Sequence, residues 1–165
     1  MAPLFYIDPG NFLKGIRLDQ PHNFLRPNAF ERFINRFYGG VVSFGLGLQH
    51  NYLLQVRGRK TGKIYSTPVN VLNYHKKLFL VGPRGYTQWA RNALADEQVT
   101  LKKGRVRLQF NVRVVPDEEK PEVLKEYLSR FRLTVQRYFP VAAGDSLEAF
   151  TPIANRYPVL ELIRR

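Results

Sequence analysis

Residues 51–82 read NYLLQVRGRKTGKIYSTPVNVLNYHKKLFLVG, and the fold prediction starts from this stretch. Apolar and polar residues alternate along three runs rich in β-branched and aromatic side chains, a pattern typical of β-strands. The three runs are Tyr52–Arg57, Lys63–Leu72 and Lys77–Gly82. Short turns at Gly58–Gly62 and Asn73–Lys76 connect them, and such connections predict antiparallel pairing.

The strand pattern continues downstream and then gives way to helical periodicity. Two further strands are predicted at Val99–Lys102 and Arg105–Val115, joined by a turn at Gly104. Helical patterns cover Thr87–Ala95, Pro121–Tyr138 and Ser146–Asn155, and a last apolar run that could close the sheet follows at Pro158–Ile163. The prediction is an α+β protein in which a small antiparallel barrel carries helices on its outside.

The N-terminal residues carry a different pattern. Residues 1–28 are interrupted by Pro and Gly and are predicted to form an irregular arm. An amphipathic helix is predicted over residues 28–40, ending at Gly39-Gly40. Its Phe-rich face predicts packing on the domain or, because arginines accompany it, contact with a membrane surface or a partner.

Length and composition restrict the classes of protein that fit. A chain of 165 residues with 44% hydrophobic residues predicts a single domain, residues 1–165. Its barrel core is predicted at 51–115, followed by a helical part and the closing strand at 116–165. The absence of Cys excludes disulfides and thiol chemistry and fits a cytoplasmic location. The longest apolar run, Phe37–Leu48, is too short to span a bilayer.

Positive charge is concentrated in the middle of the chain. The formal net charge is +13, and residues 50–107 contain 12 basic side chains against only Asp96 and Glu97. Charge that serves solubility alone would be spread more evenly. The middle third is therefore predicted to bind or face an anion.

The basic turn Gly58–Gly62 is the first candidate for that anion site. Arg59, Lys60 and Thr61 would converge on a group at the turn, where the glycines expose backbone amides. The alternative is a solvated basic hairpin tip, and the spacing does not separate the two. The GxxxxGK[ST] phosphate loop is absent.

Two further features indicate a ligand site near this turn. Pro68 within a strand predicts either an edge strand or a bulge that leaves backbone groups for a flat ligand. Trp89 and Asn92 share one face near the start of a predicted helix, where the free amides favour anions. The side chain of Trp89 is predicted either to form a wall over a bound heterocycle or to anchor the helix to the barrel.

Other catalytic chemistries lack candidates in this sequence. The three histidines, His22, His50 and His75, are scattered and have no carboxylates at ligand spacing, so no metal site is predicted. The sequence contains neither a GxSxG nor a GxGxxG motif. An enzyme with this sequence would depend on a cofactor that the protein positions.

The segments GRKTGK, STPV, VGPRG and QWARNALA, in this order and at these distances, resemble the deazaflavin-dependent nitroreductase and quinone reductase family, which uses coenzyme F420. The likeness covers residues 53–119 and the segment YPVLEL at 157–162. It implies an FMN-binding-like split β-barrel, an oxidoreductase in which reduced deazaflavin gives a hydride to a quinone, an enone or a nitro compound. FMN is the alternative cofactor, and the charge of the middle third favours F420.

The resemblance implies a cofactor site and no catalytic side chain. The implied cofactor-binding residues are Arg59, Lys60, Thr61, Tyr65, Ser66, Thr67, Pro68, Val69, Val81, Gly82, Pro83, Arg84, Gln88, Trp89 and Asn92. Candidates for the acceptor side are the C-terminal aromatics Tyr127, Phe131, Tyr138 and Phe139.

The predicted partner is a small-molecule electron acceptor. A homodimer and peripheral membrane contact stay open. A basic barrel that stacks single-stranded nucleic acid on its aromatic residues is the competing hypothesis of a different class. The motif order favours the redox cofactor over nucleic acid.

Overall fold

A computed structural model describes residues 49–165 of the chain. The predicted arm at 1–28 and helix at 28–40 lie outside the described residues. Six strands form the sheet: β1 (Asn51–Arg57), β2 (Ile64–Tyr74), β3 (Lys77–Val81), β4 (Gln98–Lys103), β5 (Val106–Val114) and β6 (Val159–Arg164). Two α-helices, α1 (Gln88–Asp96) and α2 (Lys120–Val135), flank them.

The six strands close into an antiparallel barrel in the order β1-β2-β3-β6-β5-β4. The last strand, β6, lies between β3 and β5: Leu78 pairs with Leu162, and Val112 pairs with the same residue from the other side. The predicted antiparallel barrel with helices outside is confirmed. That residues 1–165 form one domain stays a prediction.

Strand β2 is paired unequally along its length. Residues 64–70 pair with β1, whereas pairing with β3 begins only at Val71. Pro68 faces Leu53 in an unbroken register, so the bulge considered for Pro68 is wrong and the edge alternative is right. The Val71 amide donates to the His50 carbonyl at 2.9 Å. Amide directions alternate along a strand, so an amide at position 68 would point away from β1. Pro68, which has no N–H, therefore removes no hydrogen bond from the pairing with β1.

Two apolar cores lie on opposite sides of the sheet. The first fills the barrel and includes Leu54, Val56, Leu80, Leu101, Phe110 and Leu160, with Ala93 and Leu94 of α1 packed against it. The second lies between the outer face of the sheet and α2, and includes Leu72, Phe79, Val159, Tyr127, Leu128 and Phe150. Both faces of the sheet are therefore covered, and α1 packs on one core while α2 packs on the other.

The C-terminal helical segments differ from the prediction in their geometry. The segment predicted as helix at Ser146–Asn155 is a 3-10 helix at Leu147–Arg156, and Pro152 within it has no amide to donate to an α-helix. Helix α2 has a non-helical residue at Phe131 and is continued by a short 3-10 turn, Gln136–Tyr138. No helix in residues 49–165 has the length and apolarity needed to cross a bilayer.

Glu161 is the buried charge that connects three strands. It lies opposite Phe79 of β3 and Arg113 of β5. Its carboxylate accepts hydrogen bonds from Arg113 Nε at 2.7 Å and contacts Lys77 Nζ at 3.1 Å. Burial opposes the charge, but the two cations outweigh burial and hold the pKa of Glu161 below its usual 4.5.

Glu161→Gln is expected to lower the free energy of unfolding by about 2 kcal/mol at pH 7, because it removes the charge that satisfies Arg113 and Lys77. The folded-state pKa is the lower one, so the carboxylate stabilises the fold fully above pH 4.5 and loses this effect as the pH falls through the folded-state pKa. Urea unfolding from pH 7 to pH 3 checks this. Glu118→Gln, at an exposed position, is the control. A difference in the free energy of unfolding between wild type and Glu161→Gln that stayed the same from pH 7 to pH 3 would contradict this prediction.

Candidate functional site

The turn between β1 and β2 has a tight, hydrogen-bonded backbone. The amides of Gly58 and Gly62 donate to the carbonyls of Lys63 and Gly58, both at 2.8 Å. Gly62 has φ +68°, which favours glycine. A Cβ on Gly58 would lie 2.5 Å from Cε2 of Tyr65. The turn therefore presents Lys60 and Thr61 from a fixed loop.

Hydrogen bonds fasten this turn to the first turn and a half of α1. Asn92 Oδ1 accepts from the backbone amide of Arg59 at 3.3 Å and from its Nη1 at 2.8 Å. Gln88 Oε1 accepts from the same Nη1 at 3.0 Å. Asn92 is only 6% exposed. The structure thus brings together predicted site residues that are 33 positions apart, and it turns the Arg59 guanidinium towards α1.

The N-cap residue of α1 has a polar group without a hydrogen-bond partner among residues 49–165. Thr87 occupies the N-cap position in extended conformation but makes no side-chain cap hydrogen bond. Its Oγ1 is buried and has no hydrogen-bond partner among residues 49–165. Buried polar atoms are normally paired, so this hydroxyl is an exception among the described residues. In the sequence, Thr87 marks only the start of a predicted helix.

A tight loop leads from β3 into α1. The Gly82 amide donates to the Pro158 carbonyl at 2.9 Å, and the Gly85 amide donates to the Gly82 carbonyl at 3.0 Å. Val81 and Gly82 are buried, and Pro83 is half-buried. The loop residues nearest the sheet therefore shape the backbone and offer little surface to a ligand.

Trp89 and the middle of β2 line the barrel next to this loop. Trp89 is half-buried and packs with Val69 against the core inside the barrel. The anchoring role considered for Trp89 is therefore seen. Thr67 and Pro68 are half-buried, while Tyr65 and Ser66 are exposed. The Tyr65 hydroxyl lies 3.1 Å from Thr61 Oγ1, which connects this strand to the basic turn.

Arg84 takes a different direction from the other predicted cations. Its guanidinium carbon lies 5.9 Å from the centre of the Tyr138 ring, at the end of the helical segment that follows α2. The contact between Arg84 and Tyr138 was not predicted, because nothing in the spacing of these residues indicates it.

The aromatic residues suggested for the acceptor side divide into two groups. Tyr127, Phe131 and Phe139 are buried in the core under α2, so the acceptor-lining suggestion is wrong for these three. Burial raises the pKa of Tyr127 far above its usual value, although a hydrogen bond with Asn70 opposes this. Tyr138 alone is partly exposed and stays a candidate.

The described residues offer no arrangement for metal catalysis. Within residues 49–165, no three His, Asp or Glu side chains are grouped to hold a metal ion. A groove of about 530 Å³ opens between the β2–β3 turn and the start of α2, and none of its lining residues belongs to the predicted site. The predicted site residues lie instead on the basic turn, on β2, on the loop after β3 and on α1.

The sequence of this chain matches one protein family. A family model described as F420H(2)-dependent quinone reductase covers residues 30–139, which include the whole turn, β2 and α1. The chain belongs to the F420H2-dependent quinone reductase family. This membership confirms the predicted recognition, the oxidoreductase class and F420 as the cofactor of the family. A comparison with functionally curated proteins finds no match.

The sequence and fold of this F420H2-dependent quinone reductase family member were compared with solved structures, and two of the similar chains reach a TM-score of 0.50 or more. A protein of unknown function from Agrobacterium tumefaciens is 17% identical with a TM-score of 0.50; the match covers 86% of this chain and 58% of that one. The heme storage protein HutZ from Vibrio cholerae is 10% identical with a TM-score of 0.51, over 71% and 82% of the two chains. An F420-H2 dependent reductase is 18% identical with a TM-score of 0.46, over 69% and 94%. The barrel is an FMN-binding-like split β-barrel, as predicted.

Proposed function

We propose that this protein reduces a quinone with F420H2, and that the surface formed by the basic turn, β2 and α1 holds the cofactor. The observation that carries the proposal is the hydrogen-bonded clamp between Arg59 and Asn92. It fixes a turn rich in cations beside a helix N-terminus, and these are the two elements of proteins that bind phosphate best. Both lie within the segment that matches the family.

The residues of this surface have the chemistry that a large anionic cofactor needs. Lys60 and Thr61 would hold the phosphate and the acidic tail, and the amides at the start of α1 add partial positive charge. The side of β2 without a strand neighbour, from Ser66 to Pro68, would lie beneath the ring.

The chain's own contribution is binding and orientation. F420H2, when bound, supplies a hydride to the acceptor. Trp89 and Val69 would limit the position of the ring, because both pack on the barrel core. Tyr86 nearby keeps its proton at neutral pH, since burial and the Asp117 charge raise its pKa. A fixed distance and angle between the reactants can lower the barrier without an acid, base or nucleophile from the protein.

The family description supports a quinone as the proposed acceptor, and enones and nitro compounds are further acceptors to be tested in the same panel. The homodimer and the contact of residues 28–40 with a membrane stay predictions. Analytical ultracentrifugation of the full chain tests the first.

Lys60→Ala is expected to raise the Kd for F420 about tenfold, because one charge-assisted hydrogen bond to the cofactor is lost.

Trp89→Ala is expected to lower the rate of F420H2 oxidation by a quinone about tenfold, because the ring position is no longer confined. Cofactor fluorescence and stopped-flow absorbance measure the two effects. Lys125→Ala, which removes the same charge from α2, should change neither.

Three results would overturn the proposal. The first is full activity in both Lys60→Ala and Trp89→Ala. The second is tighter binding of FMN than of F420 in parallel titrations, which would make FMN the cofactor of this barrel. The third is the absence of any cofactor binding, which would remove the redox function altogether.

A further inference from the structure

The groove of about 530 Å³ lies on the outer side of the sheet, between the β2–β3 turn, the start of α2 and the 3-10 segment Leu147–Arg156. It shares no lining residue with the predicted cofactor site. Its volume falls in the range of small-molecule sites, roughly 300–1,000 Å³. We call it the outer groove.

The floor of the outer groove is apolar. Phe79, Val115 and Val123 line it, and all three belong to the core between the sheet and α2. Leu147, at the start of the 3-10 segment, also lines the groove and is 36% exposed. A ligand with an apolar body would remove this surface from water, which favours its binding.

Two rings at the β2–β3 turn form one rim of the outer groove. His75 and Lys76 have φ of +50° and +61°, and these two left-handed residues close the hairpin as in a type I′ turn. The rings of Tyr74 and His75 lie 4.0 Å apart, and both residues line the groove. The face of a tyrosine ring attracts cations, so this rim favours a positively charged ligand.

The two cations that line the outer groove are already paired. Lys77 Nζ lies 3.1 Å from Glu161 Oε1, and Arg113 Nη2 lies 2.6 Å from Glu161 Oε2. Arg113 Nη2 also lies 3.0 Å from Glu119 Oε2. The charges of these two cations and two carboxylates cancel, so the cluster attracts a further anion only weakly.

Two further carboxylates of the outer groove have no such compensation. Glu118 and Glu122 line the groove and are exposed. None of the ion pairs formed within residues 49–165 involves either of them. The outer groove therefore has two uncompensated negative charges in a chain whose net charge is +13. This local charge attracts cations and repels anions.

We propose that the outer groove binds a small organic ammonium ion with an apolar body. The ammonium group would contact Glu118 and Glu122 and face the Tyr74 ring. The apolar body would lie on Phe79 and Leu147. Because no residue of the predicted cofactor site is used, the proposal does not depend on F420 chemistry.

An organic cation fits the outer groove better than a metal ion. Within residues 49–165, no three His, Asp or Glu side chains are grouped to hold a metal. Metal ions need several oxygen or nitrogen ligands around them, whereas the floor of this groove consists of apolar side chains.

Three probes that share a phenyl ring test the full chain: phenethylamine, phenethyl alcohol and phenylpropionate. Amide NMR spectra recorded during each titration give the Kd and the residues that respond. We expect a Kd of about 1 mM for the amine, with shifts at residues 74–79, 113–123 and 147–151. The neutral alcohol should bind about fivefold more weakly, and the carboxylate about tenfold or more, because neither forms the ion pairs.

Matched variants separate the outer groove from charge in general. Glu118→Gln with Glu122→Gln should weaken amine binding about fivefold, to the level of the alcohol. Glu97→Gln with Glu126→Gln removes the same charge outside the groove and should change the Kd less than about twofold. Leu147→Ala should weaken amine and alcohol alike, by about threefold. Thermal unfolding and F420 titration of each variant show that it is folded.

The titrations can contradict the proposal in three ways. The amine may leave the amides of the groove unshifted at concentrations well above the expected Kd, or shift those of the basic turn and α1 instead. The amine and the alcohol may bind equally, which would leave an apolar site without charge recognition. Equal losses of amine binding in the two double variants would show that the net charge of the chain, and not the outer groove, attracts the cation.

Discussion

Asn92→Ala is expected to raise the Kd for F420 about 50-fold and to lower the free energy of unfolding by about 2 kcal/mol. The buried amide oxygen accepts both hydrogen bonds that tie the Arg59 backbone and guanidinium to α1. Without this oxygen, the basic turn loses its fixed position beside the helix N-terminus. Part of the binding free energy is then used to order the turn, which weakens binding. F420 titration and thermal unfolding measure the two effects.

Two companion variants make this expectation specific. Asn92→Asp keeps an oxygen acceptor and adds a charge opposite Arg59, so it should restore most of the affinity. Gln88→Ala removes one exposed hydrogen bond from the same guanidinium and should raise the Kd less than threefold. Equal effects of Asn92→Ala and Gln88→Ala would show that the clamp does not organise the turn.

Gly82→Ala is expected to destabilise the fold by about 3 kcal/mol, which lowers Tm by roughly 6–12 °C in a chain of this size. An added Cβ would lie 2.6 Å from Cγ of Pro158 and 2.9 Å from the carbonyl oxygen of Gly85. The second neighbour is backbone in a tight loop that cannot yield without breaking the entry into α1. Differential scanning calorimetry checks the shift.

Gly144→Ala is the matched control, because an added Cβ there meets nothing within 4 Å. Its expected effect is neutral or slightly stabilising, by less than about 1 kcal/mol. Gly58→Ala should fall between the two, since the ring it meets belongs to the exposed and movable Tyr65. A Gly82→Ala protein as stable as Gly144→Ala would refute the steric account.

The strands and the barrel could be predicted from the sequence because each strand alternates apolar and polar residues and each connection is a short turn. The C-terminal segment at Leu147–Arg156 shows the limit of that approach: its apolar spacing indicates a helix, but Pro152 changes the type of helix. The position of β6 between β3 and β5 could not be predicted, because strand order is seen only in the three-dimensional pairing.

The candidate site could be predicted only in part. The basic turn and α1 were identified as segments, but the hydrogen bonds between Arg59 and Asn92 join polar residues that have no periodic pattern. Tyr127 and Phe131 show the opposite problem, because aromatic side chains on an amphipathic helix look the same whether they line a core or a substrate. Burial separates the two cases, and burial depends on which face of α2 meets the sheet.

The place of β6 has a consequence for how the protein is made. Strand β6 connects β3 with β5. The edges of β3 and β5 that pair with β6 therefore stay unpaired until residues 159–164 have left the ribosome. At synthesis rates of about 5–20 residues per second, both edges stay open for several seconds after β3 emerges. During that time the positive charge of the nascent chain disfavours its pairing with other copies of itself.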